Sequence, residues 1–289
     1  MKTTTLPNII RIFLCAFAGI FTTAGLRAQE DARPVVDDSK VVASKPAANN
    51  LPTLFLVGDS TLNSNMPLRG WAQEIGVFFD PAKINVVNRA IGGRSSRTFI
   101  GEGRWDKVLA EMKAGDFLMV QFGHNDVGPL DAAGKFRGSI KGEGEDTQSV
   151  AKPDGTTEIV HSFGWYMRKY CTDAKAKGVS VILCSMIPHK GWEGAKVKRG
   201  EKDTFVKWTA NAAKAGGAQF IDLNAIIAKG YEQLGQQKVE SLFADKGTHT
   251  SVEGAKYNAA AVISGLKSLE PDPLAKYFSA AAAPIQAAK

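Results

Sequence analysis

A serine and a histidine far apart in the chain are of the types that make a nucleophile and its base. Ser60 stands in Gly58-Asp59-Ser60-Thr61, and His249 in Asp245-Lys246-Gly247-Thr248-His249. A histidine takes the hydroxyl proton when a carboxylate fixes its ring and tautomer, and Asp245 is the nearest carboxylate. Two further clusters carry donors for a developing negative charge. Gly92-Gly93 within Asn88–Arg97 brings backbone N–H groups close to a ligand, and Asn125 in Gly123-His124-Asn125-Asp126 offers a side-chain amide. Taken singly, each string reads as readily as a turn, an ordinary loop or a polar helix cap. His124 is either a second base or, as the preferred reading, a structural histidine packed beneath its loop. The paired glycines lack the third glycine of a dinucleotide fingerprint, and no G-x-S-x-G elbow occurs.

The elements around these clusters decide what they can do together. Apolar runs at Thr53–Val57, Ile84–Asn88, Phe117–Phe122, Val179–Met186 and Gln219–Leu223 do not alternate, which marks strands covered on both faces. Helical patterns lie between them, among them Trp105–Ala114 before Gly115, Phe163–Lys177 before Gly178, and Ser251–Leu269. The alternation predicts a three-layer α/β/α domain around a parallel sheet of about five strands. The clusters then fall at the carboxyl ends of strands one, two and three and just before the last long helix. Open α/β sheets bind ligands at that edge. Between Gly123 and Phe163 lie some forty residues with little period, a length expected of a functional or disordered loop.

Lys2 and Arg11, an apolar stretch from Ile12 and small residues up to Ala28 have the layout of a secretory signal peptide, with an uncleaved anchor as the alternative. The expected division is a signal peptide at 1–28, a polar linker at 29–50, a catalytic domain at 51–270 and a tail at 271–289, in a secreted or periplasmic protein. The chain carries 36 basic and 29 acidic residues, and loss of Lys2, Arg11 and Arg27 would leave a net +4. No dense basic stripe points to nucleic acid, and no later segment is apolar enough to insert in a membrane. Four histidines spread far apart offer no metal cluster, so no cofactor is expected. Cys171, in a helical pattern, and Cys184, mid-strand, read as free buried thiols.

The joint order of Ser, Gly, Asn and a late Asp/His pair resembles the GDSL or SGNH hydrolase superfamily, with its flavodoxin-like fold. Within it the chain is similar to the rhamnogalacturonan acetylesterase family from about Pro52 to Leu269. The likeness rests on GDST (Gly58–Thr61), GW (Gly70-Trp71), GGRSSRTF (Gly92–Phe99), FGHND (Phe122–Asp126), VHSFGWYMRKY (Val160–Tyr170) and THTSVEGA (Thr248–Ala255). The resemblance implies Ser60 as nucleophile, His249 as base and Asp245 as its partner. It also implies an oxyanion hole from the Ser60 and Gly93 N–H groups and the Asn125 amide. One departure stands out. The family spaces its late pair as D-x-x-H, which would put Lys246 in the carboxylate position, so Asp245 serves only if the chain bulges by one residue, with Gly247 supplying the freedom.

The implied activity is removal of acetyl groups from a plant cell-wall polysaccharide, acetylated rhamnogalacturonan first. Acetylxylan is the alternative polymer, a lysophospholipase or lipid esterase the alternative enzyme, and a non-catalytic carbohydrate-binding protein the alternative class. A lipid enzyme would carry an apolar lid, whereas the long insertion is polar. Trp165, Tyr166 and Trp192 are candidates to stack on sugar rings, although the first two lie in a helical pattern that favours core. Arg94, Arg97 and Lys190 are candidates to meet pectic carboxylates, or the arginines simply fix the glycine loop.

Overall fold

The computed structural model describes Met1 and residues 50–199 and 202–289. The expected signal peptide and linker lie outside the described residues. The chain enters β1 (Thr53–Gly58), runs through two 3-10 turns to β2 (Asn85–Asn88), then α1 (Ser96–Gly101), α2 (Arg104–Glu111) and β3 (Phe117–Gln121). A hairpin of β4 (Thr147–Ala151) and β5 (Thr157–His161) precedes α3 (Phe163–Ala176) and β6 (Ser180–Cys184). A short ribbon, β7 (Trp192–Glu193) and β8 (Lys196–Val197), leads to α4 (Lys202–Gly216) and β9 (Gln219–Ile221). Three helices follow, α5 (Leu223–Leu234), α6 (Gln236–Glu240) and α7 (Val252–Leu266), before a tail with two 3-10 turns.

Five strands form one parallel sheet in the order β2-β1-β3-β6-β9. From β1 the chain first steps one way to β2 and then returns the other way through β3, β6 and β9. The reversal opens a crevice beyond the carboxyl end of β1, the place where such sheets bind ligands. The sheet is covered on both sides because alternate residues of each strand point to opposite faces. Leu54, Leu56, Met119, Ile182, Cys184 and Ile221 pack with α5, α7 and Trp71. Phe55, Val57, Leu118, Val120, Val181 and Leu183 pack with α1, α2, α3 and α4. That two-sided burial is why these strands read as unbroken apolar runs.

Local chemistry sets the helix ends. The Ser162 and Ser251 side chains accept the N–H groups of Trp165 and Gly254 and so cap α3 and α7. After α3, Gly178 turns left-handed at φ 76°, and the Gly178 and Val179 N–H groups close onto the Lys175 and Ala174 carbonyls. This is the glycine stop expected there. Helix α2 instead ends at Glu111, before Gly115, because Met112 is already extended. The segment 271–289 is not a loose extension. Tyr277 meets Phe117 and Phe278 meets Phe79, each at 5.5 Å between ring centres, and Lys267 Nζ donates to the Ala282 and Ile285 carbonyls.

The long insertion is structured rather than open loop. Arg97, with no exposed surface, binds both carboxylate oxygens of Glu158 on β5 at 2.8 and 2.7 Å and the carbonyls of Leu130 and Gly138. A bidentate guanidinium–carboxylate pair fixes distance and angle together. Asp126 adds a second tie, accepting the Ser96 N–H and the hydroxyls of Ser96 and Ser139. Cys171 and Cys184 are buried, free thiols on α3 and β6. Among the described residues no helix is long and apolar enough to cross a membrane.

Candidate active site

Strand β1 ends in a single helical turn that presents Ser60. The N–H groups of Leu62 and Asn63 both donate to the Asp59 carbonyl, at 3.1 and 3.2 Å. Glycine is required at position 58, because a Cβ there would lie 2.6 Å from the Gln121 carbonyl oxygen on β3. The Asp59 side chain turns away from the site. Its Oδ1 accepts the Thr61 N–H at 2.8 Å and the Thr61 hydroxyl at 2.7 Å. Thr61 in turn accepts the Gln121 amide, whose oxygen accepts the Trp71 indole N–H. This buried chain holds the turn from beneath, leaving Ser60 as the partly exposed residue of the four.

Ser60 Oγ lies 2.8 Å from His249 Nε2, and His249 Nδ1 lies 2.5 Å from Asp245 Oδ2. The arrangement fits Nδ1–H donating to the carboxylate and Nε2 accepting from the hydroxyl. The D-x-x-x-H spacing is explained by a tight loop. Ala244 N–H donates to the His249 carbonyl and Ser251 N–H to that of Leu242, so 242–251 closes as a narrow hairpin. Inside it Asp245 Oδ1 accepts the N–H groups of Gly247, Thr248 and His249 at 2.9, 2.7 and 3.0 Å. The carboxylate itself wraps the extra residue. Gly247 is not among the residues of positive φ, contrary to its expected role as a flexible bulge. Its value is clearance: a Cβ would come within 3.1 Å of the Lys190 carbonyl oxygen. Partial burial works against the Asp245 charge, but hydrogen bonds from the His249 ring and the three N–H groups outweigh it and hold the carboxyl well below its usual range.

The other expected residues meet at the same edge. Ile91 N–H donates to the Gly58 carbonyl at 3.1 Å and Asn63 Nδ2 to that of Ala90 at 2.8 Å, sewing the glycine loop to the serine turn. Gly93 is left-handed at φ 80°, and a Cβ there would meet nothing within 4 Å, so backbone conformation, not space, selects glycine. Asn125 Nδ2 donates to the Arg94 carbonyl at 2.8 Å, which places the amide beside the Arg94–Ser95 peptide, one residue on from Gly93. Across the site the Thr250 hydroxyl donates to the Arg69 carbonyl and Arg69 N–H to the Thr250 carbonyl, tying in the His249 loop. Gly70 is needed beside it, since a Cβ would overlap the Leu62 carbonyl carbon at 2.0 Å.

The residues expected to meet sugars are each held by contacts of their own. Arg97 is a buried pin, as described above. Arg94 binds Glu102 and the Gly92 carbonyl, bracing the glycine loop. Lys190 pairs with Glu240 at 2.6 Å. Tyr166 is buried and its hydroxyl accepts the His161 N–H, whereas Trp165 is half-buried with one face stacked on His161 at 3.7 Å between ring centres. Trp192 packs its ring on the core. His124 is half-buried with its Nε2 enclosed, and its Nδ1 is bonded to His189, which no motif in the sequence singled out.

Burial, opposed by the Thr61 hydrogen bonds and assisted by the Asp126 charge, pushes the Asp59 carboxyl from 3.8 up to about 7. Its Oδ2 has no hydrogen-bond partner among the described residues. A carboxyl raised on folding favours the folded state in its protonated form. That contribution is complete below the unfolded pKa and is lost as pH rises through about 7. Relative to Asp59→Asn, whose amide oxygen still accepts from Thr61, the wild type should lose about 4 kcal/mol of stability between about pH 4 and pH 8. Urea unfolding of both proteins across that range reads this directly, and parallel pH profiles would count against it.

Five parallel strands in this order, with helices on both faces, are the architecture of SGNH hydrolases. The chain belongs to the GDSL-like Lipase/Acylhydrolase family, whose model matches residues 56–257. It is similar to a rhamnogalacturonan acetylesterase of Emericella nidulans, 33% identical over 211 residues that cover 73% of this chain and 83% of the relative. It is also similar to YesY of Bacillus subtilis, named as a probable rhamnogalacturonan acetylesterase, at 30% identity over 75% of this chain and 93% of the relative. Among solved structures, that of YxiM from Bacillus subtilis superposes with a TM-score of 0.60 at 25% identity. The match covers 75% of this chain and 56% of that protein.

Proposed function

We propose that this protein is a serine esterase that removes acetyl groups from plant cell-wall polysaccharide, with acetylated rhamnogalacturonan as its main substrate. The observation that carries the chemistry is the unbroken Ser60–His249–Asp245 chain, at 2.8 and 2.5 Å, beside Gly93 and Asn125. In this reading His249 Nε2 takes the Ser60 proton as Oγ attacks the ester carbonyl. The oxyanion is received by the Ser60 and Gly93 N–H groups and by the Asn125 amide, whose other N–H is anchored on Arg94. His249 then protonates the departing sugar hydroxyl, and water attacks the acetyl-serine by the same route to release acetate. Asp245 holds the proton on Nδ1 throughout.

The polymer is suggested by the two relatives named for rhamnogalacturonan. A lipid ester is disfavoured by the character of the insertion, where β4 exposes Thr147, Gln148 and Ser149 rather than an apolar lid. Acetate release from acetylated rhamnogalacturonan, xylan and mannan tests the reading. Rhamnogalacturonan should be deacetylated fastest, and an aryl acetate should be cleaved faster than an aryl octanoate with chelator present. Faster release from xylan would reassign the polymer, and preference for the octanoate would reassign the enzyme to lipids.

A further inference from the structure

Gly123, just beyond β3, has φ 138°, and a Cβ there would lie 2.9 Å from Met186 Sδ on the segment after β6. The positive φ favours glycine here, and the parallel pairing of β3 with β6 already brings the two strand ends side by side. Their contact sets His124 beside His189, with rings nearly parallel at 14°, centres 4.9 Å apart, and Nδ1 of the first 3.0 Å from Nε2 of the second. Such a bond needs a hydrogen on one nitrogen and a lone pair on the other, so it is directional.

Each histidine adjoins a different half of the site. Asn125 follows His124 and reaches the Arg94 carbonyl beside Gly93. Lys190 follows His189, and its N–H donates to the Gly247 carbonyl at 2.8 Å, while Gly247 N–H donates to Asp245 Oδ1 at 2.9 Å. A continuous path thus runs from the oxyanion side to the carboxylate that orients His249.

We propose that the His124–His189 hydrogen bond is a positioning element, fixing the Asn125 loop relative to the Asp245–His249 loop. The proposal rests on the roles given above to Ser60, His249 and Asn125. Neither imidazole acts on the ester, since Ser60 already has His249 as its partner. The bond acts on distance. A donor or base displaced by about 1 Å loses about 10²-fold in rate.

Phenylalanine at either position keeps a ring of similar shape and removes the nitrogens. His124→Phe and His189→Phe should each lower kcat on an aryl acetate by about 10²-fold with KM nearly unchanged. The double variant should be no slower than either single one, because both break the same bond. His189→Gln, whose amide reaches the place of Nε2, should recover most of the rate. In an Asn125→Ala background, itself slower by about 10²–10³-fold, adding His189→Phe should have little further effect. If a Phe variant does not fold, Ala at that position gives the same reading. Wild-type kcat in both single variants, or losses that multiply in the double, would overturn the proposal. The control is Ser60→Ala: activity retained there would overturn the site assignment itself, whereas its loss with unchanged histidine variants would remove only the bridge.

Discussion

Ser60→Ala should lower ester turnover by about 10⁶-fold while leaving the fold and its thermal midpoint nearly unchanged. The side chain is partly exposed and, among the described residues, its Oγ bonds the His249 ring alone, so truncation opens no cavity in the core. The turn that presents residue 60 is held by the Asp59 carbonyl and by Thr61, neither of which the substitution touches. What is lost is the atom that forms the bond to the acyl carbon. Any residual rate would come from water placed by the oxyanion donors, which alone keep a small part of the acceleration. The same variant separates an enzyme from a binding protein, because it should still bind acetylated polymer.

Asp245→Asn should reduce kcat by about 10⁴-fold. The amide oxygen can keep the three N–H groups that Asp245 Oδ1 now accepts, so the loop should hold its shape. The amide nitrogen then faces His249 Nδ1, where Oδ2 now sits at 2.5 Å. Two donors cannot share that contact, so the ring shifts its proton to Nε2 and no longer accepts from Ser60. Asp245→Ala should be as slow and also less stable, because three N–H groups lose their acceptor. Lys246→Ala should stay near wild-type activity, since an ammonium cannot accept the imidazole N–H. Steady-state kinetics on an aryl acetate, with unfolding midpoints for each variant, separate these effects. Near-full activity in Asp245→Asn would leave a Ser–His dyad and reduce Asp245 to a loop cap.

The sheet was legible because burial on both faces writes itself into consecutive apolar residues, and all five strands fall within two residues of their sequence-based ends. The clusters of the site were legible for the same reason: each follows a strand that could be found. Contacts between distant segments were not. Arg97 looks like a surface cation in GGRSSRTF, and only the pairing with Glu158, sixty-one positions away, makes it a buried pin. The β4–β5 hairpin buries little beyond Val150 and Val160, too short an alternation to show as strands. The role of Gly247 was misread because spacing shows that an extra residue exists, not which group absorbs it. His189 left no trace at all, since its significance lies in His124, sixty-five positions earlier.

Acylation of Ser60 during turnover can be trapped directly. The protein is mixed with an aryl acetate, quenched by acid within the first turnover, and digested for peptide mass spectrometry. One acetyl group is expected on the Ser60 hydroxyl in the wild type and none in Ser60→Ala. Acetate release with Ser60 unmodified and an acetyl group on another residue would contradict Ser60 as the nucleophile.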